Sequence, residues 1–451
     1  MSRAVSNEPW LGKMPSDWQH SRIRNVAELS PNYSARVPPP DEPCTVVPME
    51  LLSADGTIDV TNQQPLMDIS TGLTLFEPGD VLFAKITPCM ENGKGALVRR
   101  LPTRYAFGST EFHVLRPSKK VDGQFLYYAT LNPVFRAYAA ENMVGAAGQK
   151  RVSSRFVKDT RFFLPPLPEQ RRIAAYLDVS CAAIDAAIDA KRRQLETLDA
   201  LRKSIIHRAV TMGLNPDVTM EPARIGWLSE IPAHWCVDRI RDRLGRIVGG
   251  EWGDDPDAHD EGIELPVIRV ADIRGIDLTV EGLTVRRIRE TKLSGRLIGR
   301  RTILIEKSGG GEQTPVGRAV RTRLIDFDAI CSNFMAKVDC GDTVSPDFVV
   351  YLLDALYSCG VNTSCIQQTT GIQNLRVTDY LNTKVGIPPL PEQERIVAYL
   401  DAKYRDITSL EKMLETQIAT LTTYRKSLIH ECVTGHRRIT ESDLSQVNAH
   451  G

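Results

Sequence analysis

The chain has 451 residues and a mass of 50.2 kDa, with 42% hydrophobic and 25% charged residues, 31 glycines and 27 prolines. That length allows roughly two to four domains with sizeable cores, and the near-average composition excludes collagen-like, disordered and purely coiled-coil chains. Lys plus Arg and Asp plus Glu number 56 each, so the net charge is zero and any affinity for nucleic acid must come from local clustering.

The N-terminus, MSRAVSNEPWLGKMPSDW, has no apolar signal-like core, and no run of about 18 apolar residues occurs, so neither secretion nor membrane spanning is expected. Nine cysteines form no C-x-x-C pair, and no His stands at a zinc-type spacing, which predicts reduced thiols of a cytoplasmic protein without a metal site.

In chain order, the first element is a Trp-rich lead-in, WLGKMPSDWQHSRIR, over 10–24. Segment 25–164 reads as mixed α/β, with β-rich runs such as VLFAKI and FHVLRP between Gly, Pro and Asp turns, and a helix over 125–140. Between 94 and 161 it carries 13 Lys/Arg against 4 Asp/Glu, the kind of excess that supplies phosphate contacts to DNA; a solvated surface is the plainer reading. Gly148, Gln149, Lys150 and Arg151 form a loop whose side chains can pair with guanine or adenine edges. An ordinary turn before the last strand accounts for the same residues.

At 165–178, PPLPEQRRIAAYLD opens a long helix, with Pro168 at a first helical position and Glu169 in the first turn, where the dipole favours negative charge. A 4,3 spacing then joins Leu177, Cys181, Ile184, Ile188, Lys191, Leu195, Leu198, Arg202, Ile205 and Ala209, a coiled-coil seam that Gly213 stops. From 169 to 212 is 44 residues, about 66 Å of helix at 1.5 Å per residue.

From there the chain repeats itself. WLSEIPAHWCVDRIR (227–241) returns the lead-in, and PPLPEQERIVAYLD (388–401) matches the helix start at 12 of 14 positions, with an offset of 223. RKSIIHRAVT (202–211) recurs as RKSLIHECVT (425–434). The second seam runs through Leu400, Tyr404, Ile407, Glu411, Leu414, Ile418, Leu421, Arg425, Leu428 and Cys432 and stops at Gly435. Between these ends, 242–387 is again mixed α/β, with 13 Lys/Arg against 6 Asp/Glu over 269–323. A thin frame survives there: GDVLFAK (79–85) falls on RTILIEK (301–307), FGSTEFHVL (107–115) on ICSNFMAKV (330–338), and GQKRV (148–152) on GIQNL (371–375).

A long helix with one apolar seam needs a partner, and the matching seam belongs to the other copy. The expected architecture is therefore two α/β (α+β) domains in tandem duplicate, separated by two long antiparallel coiled-coil helices. The boundaries are 1–164, 165–213, 214–387 and 388–451. The seam arginines, Arg202 and Arg425, read as a register device or as snorkelling side chains. His207 and His430 occupy matched positions without a nearby acid or thiol, and read as structural or partner-contacting.

No catalytic set is present. The chain has no Asp/Asn-Pro-Pro-aromatic tetrapeptide, since Asn132-Pro133-Val134-Phe135 fails at its third position, and GKG (93–95) and SGGG (308–311) do not complete a phosphate loop. The candidates for DNA contact are Lys85, Lys94, Ser109, Gln149, Lys150 and Arg151 in the first copy, and Lys307, Arg318, Ser332, Gln373 and Asn374 in the second.

The duplicated PLPEQ helix starts, the two RKS-I/L-IH tails, the paired P-x-x-W lead-ins and loops such as AKITPCMENGKGA and EKSGGGEQTPVG resemble the DNA-specificity subunit of type I restriction-modification systems over nearly the whole chain. The resemblance implies two target-recognition domains, each reading one half of a bipartite site in double-stranded DNA, with the helices as a ruler. It also implies docking of two methyltransferase subunits, which use S-adenosylmethionine, and of restriction subunits, which use ATP and Mg. The paired helices' outer faces, Trp10, Trp18, Trp227 and Trp235 are then candidate subunit contacts. The competing expectations are a stand-alone nuclease or fused enzyme, and a scaffold that assembles subunits without reading sequence.

Overall fold

The structure is a computed structural model describing residues 15–31, 39–69, 72–146, 148–257, 261–369 and 371–450. Trp10 lies outside the described residues. The chain divides into two compact units, Met1–Arg192 with Glu415–Gly451, and Arg193–Leu414.

The first unit is built on an antiparallel four-stranded sheet in the order Ala27–Leu29, Phe112–Pro117, Val81–Ala84, Gly95–Leu97. Every residue of Val81–Ala84 is buried, which matches its continuous apolar run. A second four-stranded sheet contains Pro43–Val47 parallel to Tyr105–Gly108, and a two-stranded ribbon pairs Gln19–Arg22 with Arg161–Leu164. The helix expected over 125–140 is two helices, Gly123–Leu131 and Pro133–Glu141. Pro133 has no N–H to continue the first helix, and the Asn132 side chain caps the second by accepting the Val134 N–H at 3.0 Å.

The second unit repeats this plan. Its four-stranded sheet runs Leu244–Gly249, Met335–Cys340, Thr302–Glu306, Ala319–Arg321, and Cys236–Arg239 pairs with Lys384–Ile387. Ile263–Ile268 runs parallel to Ile330–Cys331, as Pro43–Val47 does to Tyr105–Gly108. The register is also repeated: Leu82 faces Val114 and Ala84 faces Phe112 in the first unit, and Leu304 faces Lys337 and Glu306 faces Met335 in the second.

The long helices are Leu167–Met212 and Leu390–Thr434, of 46 and 45 residues. Both start one residue earlier than expected, so Pro168 and Pro391 are the second helical residues. All twenty seam positions are buried or half-buried. In the first unit the helices run antiparallel, with Lys191 Nζ donating to Gln417 Oε1 at 2.6 Å and Arg425 Nε 2.9 Å from an Asp185 oxygen. In the second, Ile206, Ala209 and Val210 share a core with Ile396 and Leu400. Both seam arginines carry acids: Arg425 has Asp185, and Arg202 has Asp199 and lies near Asp354, whose carboxyl is pushed up by burial.

The PLPEQ motif is a joint between each mixed α/β segment and its helix. Gln170 accepts the Asp122 N–H at 2.7 Å and donates to the Lys120 and Pro165 carbonyls at 3.1 and 2.8 Å. Gln393 accepts the Ser345 N–H at 2.8 Å and donates to the Thr343 and Pro388 carbonyls at 3.3 and 2.9 Å. Two turns on, Asp178 accepts from Tyr128 and Gln124, and Asp401 accepts from Tyr351, Arg321 and Arg323. Trp18 and Trp235, expected at subunit contacts, are instead buried inside their own units. The reason for Trp18 is Glu169, whose carboxylate takes its indole N–H at 3.0 Å and a fork from Arg438.

Candidate nucleic-acid interface

The residues that sequence reasoning selected come from three stretches far apart in the chain. In the first unit, the strand Val81–Ala84 delivers Lys85 to one end of the sheet. There the Lys85 N–H donates to the Glu111 carbonyl and its own carbonyl accepts the Val152 N–H, both at 2.9 Å. Beyond it, Ile86 bridges Arg151, the Thr87 N–H donates to the Lys150 carbonyl at 3.0 Å, and the Thr87 hydroxyl reaches the Gly148 carbonyl. The loops 85–95, 109–111 and 144–152 therefore form one cluster.

The second unit builds the same cluster from aligned residues. Lys307 donates its N–H to the Phe334 carbonyl at 2.9 Å and accepts the Leu375 N–H at 2.7 Å. Phe334 and Leu375 are the counterparts of Glu111 and Val152 at the 223-residue offset. Ser308 and Gly309 pair with Asn374 and Gln373, and the Ser308 hydroxyl is 2.7 Å from Asn374 Oδ1.

Within this frame the eleven candidates are placed differently. Gln149 and Lys150 are exposed, with no side-chain hydrogen-bond partner among the described residues. Lys85 and Lys307 are half-buried at the base of their clusters, and Ser109 accepts the Glu111 N–H at 3.1 Å. Lys94 turns inward, its ammonium donating to the Met49 carbonyl at 2.9 Å. Arg151 offers no free fork, because Nε and Nη2 both go to Glu111 at 2.8 to 3.1 Å and Nη1 goes to the Gln149 carbonyl at 3.0 Å. Arg318 is likewise forked onto Glu306, at 2.8 and 3.1 Å. These carboxylates hold both guanidiniums more firmly protonated.

Two candidates lie inside the protein. Ser332 is 2% and Gln373 8% exposed, and Gln373 spends its side-chain oxygen on the Val316 N–H at 3.3 Å. They differ from the expectation because a strand end tucks one residue of each pair inward: Gln373 faces in, while Asn374 is half-buried beside Ser308. Asn333, Phe334 and Ile372 are exposed at the second cluster, as are Glu312, Gln313 and Thr314, and none of them was among the candidates. The signal was the frame itself, which sets Phe334 opposite Glu111 and Ile372 opposite Gln149.

Burial also explains two titratable groups. His113, beneath the first cluster, has its ring Nε2 2.9 Å from the Val152 carbonyl, and burial lowers it from 6.5 to about 4. Arg136 is buried with no acid paired to it among the described residues; its guanidinium donates to the Thr130 and Met90 carbonyls, the latter at 2.8 Å, and so anchors the 85–95 loop from within. Among the described residues, no group of three or more His, Cys, Asp or Glu is placed to hold a metal ion, and no helix is long and apolar enough to cross a membrane.

Residues 15–197 and 257–420 match the family model described as the type I restriction modification DNA specificity domain. The chain is 31% identical over 204 residues to the type I restriction enzyme EcoAI specificity subunit of Escherichia coli, a match covering 43% of this chain and 34% of that protein. It thus spans about a third of that relative's length. It is 20% identical over 454 residues to the MjaIX specificity subunit of Methanocaldococcus jannaschii, covering 96% of both. The fold is that of the HsdS subunit from Thermoanaerobacter tengcongensis, with a TM-score of 0.51 and 19% identity over 96% of this chain and all of that one. A chain solved for the assembly and conformational transition of the type I R-M system has a TM-score of 0.70 at 17% identity, covering 94% of this chain and 99% of that one. With two tandem domain matches laid over two copies of one fold, this chain belongs to the type I restriction modification DNA specificity family.

Proposed function

We propose that this chain is the non-catalytic DNA reader of a type I restriction-modification complex. Each unit reads one half of a bipartite, asymmetric duplex site through its three-loop cluster. The reading rests above all on one observation, that two copies of a single backbone frame carry different side chains at the same loop positions. Duplication keeps the scaffold, and divergence at its tips gives each copy its own target.

Phosphate contacts come from the local basic excess, and base contacts from the exposed tips. Chemistry belongs to partners: methyltransferase subunits, two per chain, using S-adenosylmethionine, and restriction subunits using ATP and Mg. The complex acts on cytoplasmic DNA. Docking of a subunit is supported by three exposed apolar side chains on one side of the second long helix, Tyr399, Leu410 and Met413, which share that side with Lys403 and Asp406.

The test is to purify the chain with its cognate modification subunit and measure binding to the site that the complex methylates. Scrambling either half-site should abolish specific binding. Indifference to both halves sinks the proposal.

A further inference from the structure

The two loop clusters share a frame and differ in chemistry at two matched positions. The first unit carries Glu111 and Gln149 there, one forked onto Arg151 and the other exposed, with the apolar Val144 also exposed in the same cluster. The second unit carries Phe334, 44% exposed, and Ile372, 50% exposed. Both flank the same short stretch. The Phe334 carbonyl takes the N–H groups of Lys307 and Ser308, and Ile372 precedes Gln373, which pairs with Gly309.

Single exposed hydrophobics are common and need no explanation. This pair differs because it stands where the other copy is polar, and because it stands in a basic setting. Lys307 lies at the cluster, while Arg318 is forked onto Glu306, within a segment holding 13 Lys/Arg against 6 Asp/Glu. An apolar tip beside a lysine fits duplex DNA at one particular feature. The major groove presents donors and acceptors at every base pair but only one apolar group, the C5-methyl of thymine.

We infer that Phe334 and Ile372 recognise thymine methyl groups in the half-site read by the second unit. The inference rests on the DNA-reading proposal above and goes beyond it by naming the base feature and the side chains.

The experiment uses the full chain in complex with its modification subunit and synthetic duplexes carrying the methylated site. Each thymine on either strand is replaced in turn by uracil, which lacks only the methyl group. The wild-type complex should lose about fourfold in affinity at one or more thymines confined to one half-site, the effect expected for burying a single methyl group. F334A and I372A should bind the thymine duplex several-fold more weakly and lose the difference between thymine and uracil. Both side chains are exposed, so the variants keep the fold.

The inference is overturned if uracil is tolerated at every position, if the half-site contains no thymine on either strand, or if uracil sensitivity persists in the double variant. It is also overturned if the variants bind DNA as wild type but release the modification subunit, which would make the pair a protein contact. Failure of the wild-type complex to prefer any sequence would instead sink the DNA-reading proposal, before the methyl group enters.

Discussion

Replacing Gln170 tests whether the PLPEQ motif is a joint. Its side chain makes three hydrogen bonds, to Asp122, Lys120 and Pro165, and is 1% exposed. Two of these reach the 118–131 segment, so at roughly 1 kcal/mol net per bond Gln170→Ala should destabilise its attachment to the helix by about 2 kcal/mol. Gln170→Glu should do no better. It keeps an acceptor for the Asp122 N–H but turns the donor end into a carboxylate facing two carbonyl oxygens. In a chain of two units a single unfolding midpoint is ill-defined, so the measurement is local amide exchange. The Asp122 amide should exchange roughly thirtyfold faster in Gln170→Ala, since every 1.4 kcal/mol is a factor of ten. The Ser345 amide, held by Gln393 in the second unit, should be unchanged. Unaltered exchange at Asp122 would refute the reasoning.

His113 predicts a pH dependence. Its folded value of about 4 lies below the ordinary 6.5, so the unfolded chain binds the extra proton between those values. Stability of the first unit is therefore full above pH 6.5 and falls as pH drops toward 4, by at most about 3 kcal/mol; urea unfolding of His113→Phe should lack this component. Lys150→Ala, which removes an exposed cation without a side-chain partner among the described residues, should weaken binding to all DNA sequences alike and flatten the plot of log affinity against log salt by about one unit. Leu410→Asp with Met413→Asp puts charge on an exposed helix face, so the circular dichroism spectrum and melting should be preserved while co-purification with the modification subunit is lost.

The duplication, the two long helices and their antiparallel seam were legible because they are periodic or local. A 4,3 repeat over ten positions, glycine stops and an offset of 223 residues are properties of the chain read in order. The break at Asn132-Pro133 was equally local and could have been read from the proline. The positions that form each cluster were also visible, through the surviving frame.

What each side chain does at those positions was decided by the tertiary structure alone. Arg151 looks free in sequence, but Glu111, 40 residues away, takes its fork; Trp18 reads as a surface tryptophan until Glu169, 151 residues away, accepts its N–H. Ser332 and Gln373 face inward while Phe334 and Ile372 face out. The physical reason is that a polar group's role depends on which partner folding brings within 3 Å, and such partners come from distant segments whose packing the local pattern does not encode. Sequence fixes the type of each side chain and the period of its neighbours; the fold alone determines whether its hydrogen bonds are spent inside the protein or left for DNA.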